Sequence, residues 1–86
     1  MKPETNAECN EMAPDMQRAY RMLPERLYKR RRELNLTQMQ VWMETGIAMS
    51  SISQFENGHR IPTFENLLVL ASYYGVKVGW ILGETD

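Results

Sequence analysis

Eighty-six residues with 43% hydrophobic content make one small domain, near the size at which a single core holds without staples. A single cysteine, Cys9, excludes an internal disulfide and suits a reducing, cytoplasmic setting, and no apolar run is long enough to span a bilayer. The formal charge of −1 excludes a uniformly basic chain but is unevenly spread, with net −3 over residues 1–17, +4 over 18–60 and −2 over 61–86.

Residues 1–13 (MKPETNAECNEMA) have no periodicity and read as an extended or disordered arm. From Pro14, the residues Met16, Ala19, Tyr20 and Leu23 fall at i, i+3, i+4 and i+7, which predicts a short leader helix. Pro24 suits the first turn of a new helix running to about Leu34. In that helix Leu27, Arg31 and Leu34 share one stripe, so Arg31 sits among leucines, while Lys29, Arg30 and Arg32 read as a solvated face. Thr37 can cap a helix running to about Thr45, and Gly46 follows where the chain must turn. A second helix runs from about Met49 to Glu56 and stops at Asn57-Gly58, with Pro62 beyond. Helix, glycine turn and helix together have the form of a helix-turn-helix. Thr63 can cap a helix over about Phe64–Tyr74, with Phe64, Leu67, Leu68, Ala71 and Tyr74 as its apolar set. Gly75 ends it, and Val78–Leu82 make a short last helix before Gly83. The predicted organisation is an acidic leader over 1–21, a domain over 22–83 and a tail over 84–86.

The helix beginning near Met49 sorts its residues by chemistry. At about 100° per residue, Met49, Ser50, Ser53, Gln54 and Asn57 share one half of the cylinder, opposite Ala48, Ile52, Phe55 and Glu56, with Ser51 on the border. The first half carries a thioether, hydroxyls and amides without charge, a set that can read base edges; an ordinary solvent face would carry Lys and Glu. Met49, Ser50, Ser53 and Gln54 are therefore candidate base readers. Glu56 and Arg31 both fall on inward faces, and an unpaired buried charge is costly, so a salt bridge between them is expected. Gln38, next to the cap at a helix N-terminus, stands where an anion is favoured. One histidine, one cysteine, no convergent carboxylates and no glycine-rich phosphate loop give no catalytic site, so an enzyme is not expected. His59 has no ligand-type neighbour in sequence, so no metal and no cofactor are expected.

Arg31, Leu36-Thr37-Gln38, Gly46, Ile52, Glu56-Asn57-Gly58, Pro62, Leu70-Ala71 and Gly75-Val76 together resemble the Cro/cI-like, or XRE-type, helix-turn-helix family. The likeness covers about residues 22–83, and the tail GVKVGWILGETD is similar to lambdoid-type phage repressor domains. Each motif is weak alone; the joint spacing is specific. The resemblance implies an all-α, compact five-helix repressor-like domain, to which the leader can add a short helix. It also implies a homodimer bound to a double-stranded DNA operator. It places Gln38, Ser51, Asn57 and Arg60 at phosphates, with His59 a weaker candidate, and it supports the Arg31–Glu56 pairing. The two-fold contact falls to Trp80, Ile81 and Leu82, with Phe55 and the loop after the second helix. Three positions depart from the family pattern. Trp42 stands where a small alanine is usual and must turn outward or pack on Tyr20 or Met22, with the methionines between Met22 and Met49 filling the gaps. Ala48 stands where a capping Ser or Thr is usual, and Lys77 where a serine is usual. The function implied is sequence-specific transcriptional regulation, as a dimeric repressor. The alternative is an antitoxin-type module that binds a protein partner through its acidic leader and also binds its own operator.

Overall fold

The structure, a computed structural model, describes residues 14–85; the expected arm over 1–13, with Cys9, and Asp86 lie outside the described residues. Five helices follow in chain order: α1 (Pro14–Glu33), α2 (Gln38–Thr45), α3 (Met49–Glu56), α4 (Phe64–Tyr74) and α5 (Val78–Ile81). Among the described residues there is no strand, and no helix is long and apolar enough to cross a membrane.

The leader helix and the first domain helix are one element. α1 runs through Pro24 without a break, where sequence predicts two helices meeting. A proline inside a helix costs about 3 kcal/mol. Against that cost, Leu23 and Leu27 lie on either side of Pro24 and are both buried, and each such burial contributes about 1.5–3 kcal/mol. The first half of α1 is also tied to the chain's far end. Arg18 Nε donates to the Gly83 carbonyl at 2.6 Å, and a Cβ built on Gly83 would meet Met22 Cγ at 2.7 Å. Glycine at position 83 is thus required both by this close approach and by its φ of +80°.

Local chemistry fixes the other boundaries. α1 ends at Glu33, and two residues on Asn35 takes a left-handed φ of 57° while the Leu36 and Asn35 amides donate back to the Arg31 and Arg32 carbonyls. Thr37 and Gln40 then form a reciprocal capping box at the start of α2. Gly46, at φ 80°, closes α2 with its amide on the Trp42 carbonyl at 2.8 Å. Thr63 Oγ1 caps α4 by accepting from the Asn66 amide at 3.1 Å. Ala48 gives α3 no side-chain cap.

Leu23, Leu27, Val41, Ile47, Ile52, Phe55, Leu70, Ala71, Tyr74 and Ile81 form the core. α1 packs on α3 and α5, α2 on α3 and α4, and α4 on α5. Three expectations need correction, and one open choice, at Trp42, is resolved. The inward side of α4 is Leu67, Leu70, Ala71 and Tyr74; Phe64, at the first turn, is 74% exposed, and Leu68 is exposed too. Leu34 lies past the end of α1 and is exposed instead of continuing the stripe. Trp42 takes the outward option, 45% exposed, so it asks for no room between α2 and α3. Met39, Met43 and Met49 are accordingly exposed and fill no gap.

Candidate nucleic-acid interface

α3 presents the sorted face outward. Ile52 and Phe55 are buried, whereas Met49, Ser50, Gln54 and Asn57 are exposed and Ser51 and Ser53 are half-buried at its edges. α2 crosses beside it, with its N-terminus near the end of α3 through Gln38, whose Nε2 donates to Glu56 Oε1 at 3.1 Å. That bond uses one of the two amide hydrogens of Gln38 and leaves the other available.

Glu56 is the hub beneath this surface. Arg31 Nε donates to Glu56 Oε2 at 2.8 Å and Arg31 Nη2 to Oε1 at 3.0 Å, a two-pronged pair with side chains only 9% and 4% exposed. Arg31 Nη1 also donates to the Leu36 carbonyl at 2.8 Å. The pair pins α1, the α1–α2 turn and α3 together, and Glu56 also orients Gln38. The Glu56 hydrogen bond raises the Arg31 pKa, against the opposing effect of burial. Tyr74 packs nearby; burial first, and then the Glu56 charge, push its phenol well above the ordinary value, with Arg31 opposing.

The end of α3 folds back over its own face. Arg60 Nη1 donates to Ser51 Oγ at 3.1 Å and to Gln54 Oε1 at 3.4 Å, while Asn57 Nδ2 donates to Ser53 Oγ at 3.4 Å. Met49, Ser50, Ser51, Ser53, Gln54, Asn57 and Arg60 therefore lie on one connected surface with Gln38 at its side. The four residues assigned to a two-fold contact are not brought together in this way. Phe55 is 1% and Ile81 0% exposed, both in the chain's own core, so their side chains have no surface for a second chain. Trp80 and Leu82 are half-buried and retain some surface.

Sequence reasoning missed a role for arginines along α1. Arg18, Arg26 and Arg30 lie on one side of the helix and reach carbonyls at the far end of the chain. Arg26 Nη1 donates to the Trp80 and Thr85 carbonyls at 2.7 and 2.9 Å, with its guanidinium 4.7 Å from the Trp80 ring centroid. Arg30 Nε donates to the Tyr74 carbonyl at 2.9 Å, so Arg30 is not part of a purely solvated face. The recurrence of Arg18, Met22, Arg26 and Arg30 every four residues was the available signal. Among the described residues, no group of three His, Cys, Asp or Glu side chains is placed to hold a metal.

A family profile described as Helix-turn-helix matches residues 27–81. The chain is 34% identical over 62 residues to the cryptic phage CTXphi transcriptional repressor RstR of Vibrio cholerae serotype O1, a match covering 72% of this chain and 55% of that protein. It is 38% identical over 65 residues to YobD of Bacillus subtilis, an uncharacterised HTH-type transcriptional regulator, covering 76% of this chain and 58% of the relative. The matches thus take in little more than half of each relative's length. No solved structure matches significantly.

Proposed function

The chain belongs to the XRE-type helix-turn-helix family, and from that premise we propose that it is a sequence-specific DNA-binding transcriptional regulator, acting as a dimeric repressor that occludes its operator. The observation that carries the reading is the outward face of α3, which is polar, uncharged over residues 49–55 and backed by a buried ion pair. Met49, Ser50, Ser53 and Gln54 are proposed to meet base edges in the major groove, and Gln38, Ser51 and Asn57 to meet phosphates that set the register. RstR being a phage transcriptional repressor supports the sign of regulation. A homodimer would set its two recognition helices about 34 Å apart, one turn of DNA.

Selection from a random duplex library at near-physiological salt tests the proposal. A two-fold symmetric consensus is the expected result. Salt-sensitive bulk binding with no consensus would refute it and leave the helices as a scaffold for a protein partner. Within a selected site, Gln54→Ala is expected to cost about 1–3 kcal/mol and to relax preference at one base position. A uniform loss over all sequences would move Gln54 to the backbone instead. The antitoxin-type alternative draws on the acidic residues 1–17 and also binds its own operator, so a consensus is common to both readings; a small toxin-like reading frame beside the gene would favour the antitoxin.

A further inference from the structure

We infer that Arg60 is a base-reading residue, and that by its placement it turns the recognition face toward guanine; this rests on the DNA-binding reading above. Arg60 lies beyond α3, yet its guanidinium is held on the helix by Ser51, by Gln54 and by the Phe55 ring, whose centroid is 5.8 Å away. No charged residue occurs over 49–55, and the Glu56 carboxylate is engaged by Arg31 and Gln38. Arg60 therefore supplies the fixed positive charge of this face.

The consequence lies in hydrogen-bond polarity. The oxygens of Ser51 and Gln54 receive hydrogen bonds from Arg60, and that of Ser53 receives one from Asn57. Around Gln54 the face then offers mainly hydrogens, from the Gln54 amide N–H groups and the remaining guanidinium N–H groups, while the Asn57 Oδ1 and the Ser50 hydroxyl keep acceptor capacity elsewhere on the face. In the major groove guanine presents two acceptors, N7 and O6, whereas adenine pairs one acceptor with an amino donor and cytosine presents an amino donor. A free glutamine amide matches adenine, giving an N–H to N7 and taking the amine on its oxygen. With Arg60 on one lone pair of that oxygen, the adenine amine has only the other left and must approach it beside a guanidinium, whose charge disfavours the amine's hydrogens. Guanine has no such conflict and can take two donors from the Gln54–Arg60 couple.

The test is the same duplex selection run on the intact chain and on Arg60→Ala, an exposed substitution expected to leave the thermal midpoint unchanged. The intact chain should select guanine at one position of each half-site. Arg60→Ala should lower that preference roughly tenfold or more, or swing it to adenine, while the other positions hold. Replacing that guanine by 7-deazaguanine removes the N7 acceptor, and should weaken the intact chain several-fold while barely affecting Arg60→Ala. Adenine selected by both proteins would overturn the inference and leave DNA reading intact. So would an equal loss on all sequences with guanine retained, which marks a phosphate contact. Absence of any consensus from the intact chain would bring down both readings.

Discussion

Glu56 serves two structural ends with one carboxylate, holding Arg31 through both oxygens and Gln38 through Oε1. Removing one member of a buried pair strands the other, which typically costs about 3–5 kcal/mol, whereas replacing both by apolar groups is often neutral or better. Glu56→Ala is therefore expected to lower unfolding free energy by about 3–5 kcal/mol in urea titrations, and the double variant Arg31→Met/Glu56→Met to recover most of it. An unchanged midpoint for the single variant would deny the pair its structural role. Tyr74 gives a second expectation. Its phenol is pushed above the ordinary value of 10.0, so the folded chain keeps a proton that the unfolded chain releases first. Stability from this group is fully present below about pH 10 and is lost as pH rises beyond it. Tyr74→Phe should flatten the decline expected above about pH 10; an identical decline in both proteins would assign alkaline unfolding to other groups.

At the scale of the helix, Ala48 leaves α3 without a side-chain cap just where the polar face begins. Its φ of −55° and ψ of 142° are open to serine, so Ala48→Ser is expected to add about 0.5–2 kcal/mol. For a domain of this size that is a rise of about 2–15 °C in the thermal midpoint, read by circular dichroism. Calorimetry showing no rise would mean that the first amides of α3 are already satisfied another way. The extents of α2, α3 and α4 were legible in the sequence because threonine caps, glycine turns and Asn57-Gly58 are local signals that act on neighbouring amides and carbonyls. The inwardness of Arg31 and Glu56 was legible for a similar reason, since helical spacing alone puts each on an apolar side. What sequence could not supply were outcomes decided by distant residues. Pro24 stays within α1 because Leu23, Leu27 and Arg18 find partners elsewhere in the chain. Phe64 and Leu68 satisfy helical spacing, yet which stripe of α4 faces inward depends on where α2 and α5 lie. The fold-back of Arg60 onto Ser51 and Gln54 depends on the path of a loop, which periodicity does not describe.

Across the whole molecule, the positive middle of the chain is less available than a count of charges suggests. Of the eight cations between residues 18 and 60, Arg18, Arg26, Arg30 and Arg31 are tied to carbonyls or to Glu56. If all eight met phosphates, affinity would fall with salt at a log–log slope of about −7 per chain. A slope of less than half that size is expected from filter binding between 50 and 300 mM salt, and a slope near the full value would show that the arginines of α1 leave their carbonyls on DNA. Those same bonds also govern the order in which the domain can assemble. Arg30, Arg26 and Arg18 reach across 44, 54 and 65 positions of sequence to their acceptors. Long closures of this kind come late, since loop entropy must be spent before the contact rewards it. During synthesis α1 emerges first and waits. Arg30 finds its acceptor only once the chain has emerged through Tyr74, Arg18 once it has emerged through Gly83, and Arg26 its full pair only once it has emerged through Thr85. A nascent chain stalled at Tyr74 should be open to protease along α1, and one extended past Thr85 by a linker should close as a single unit.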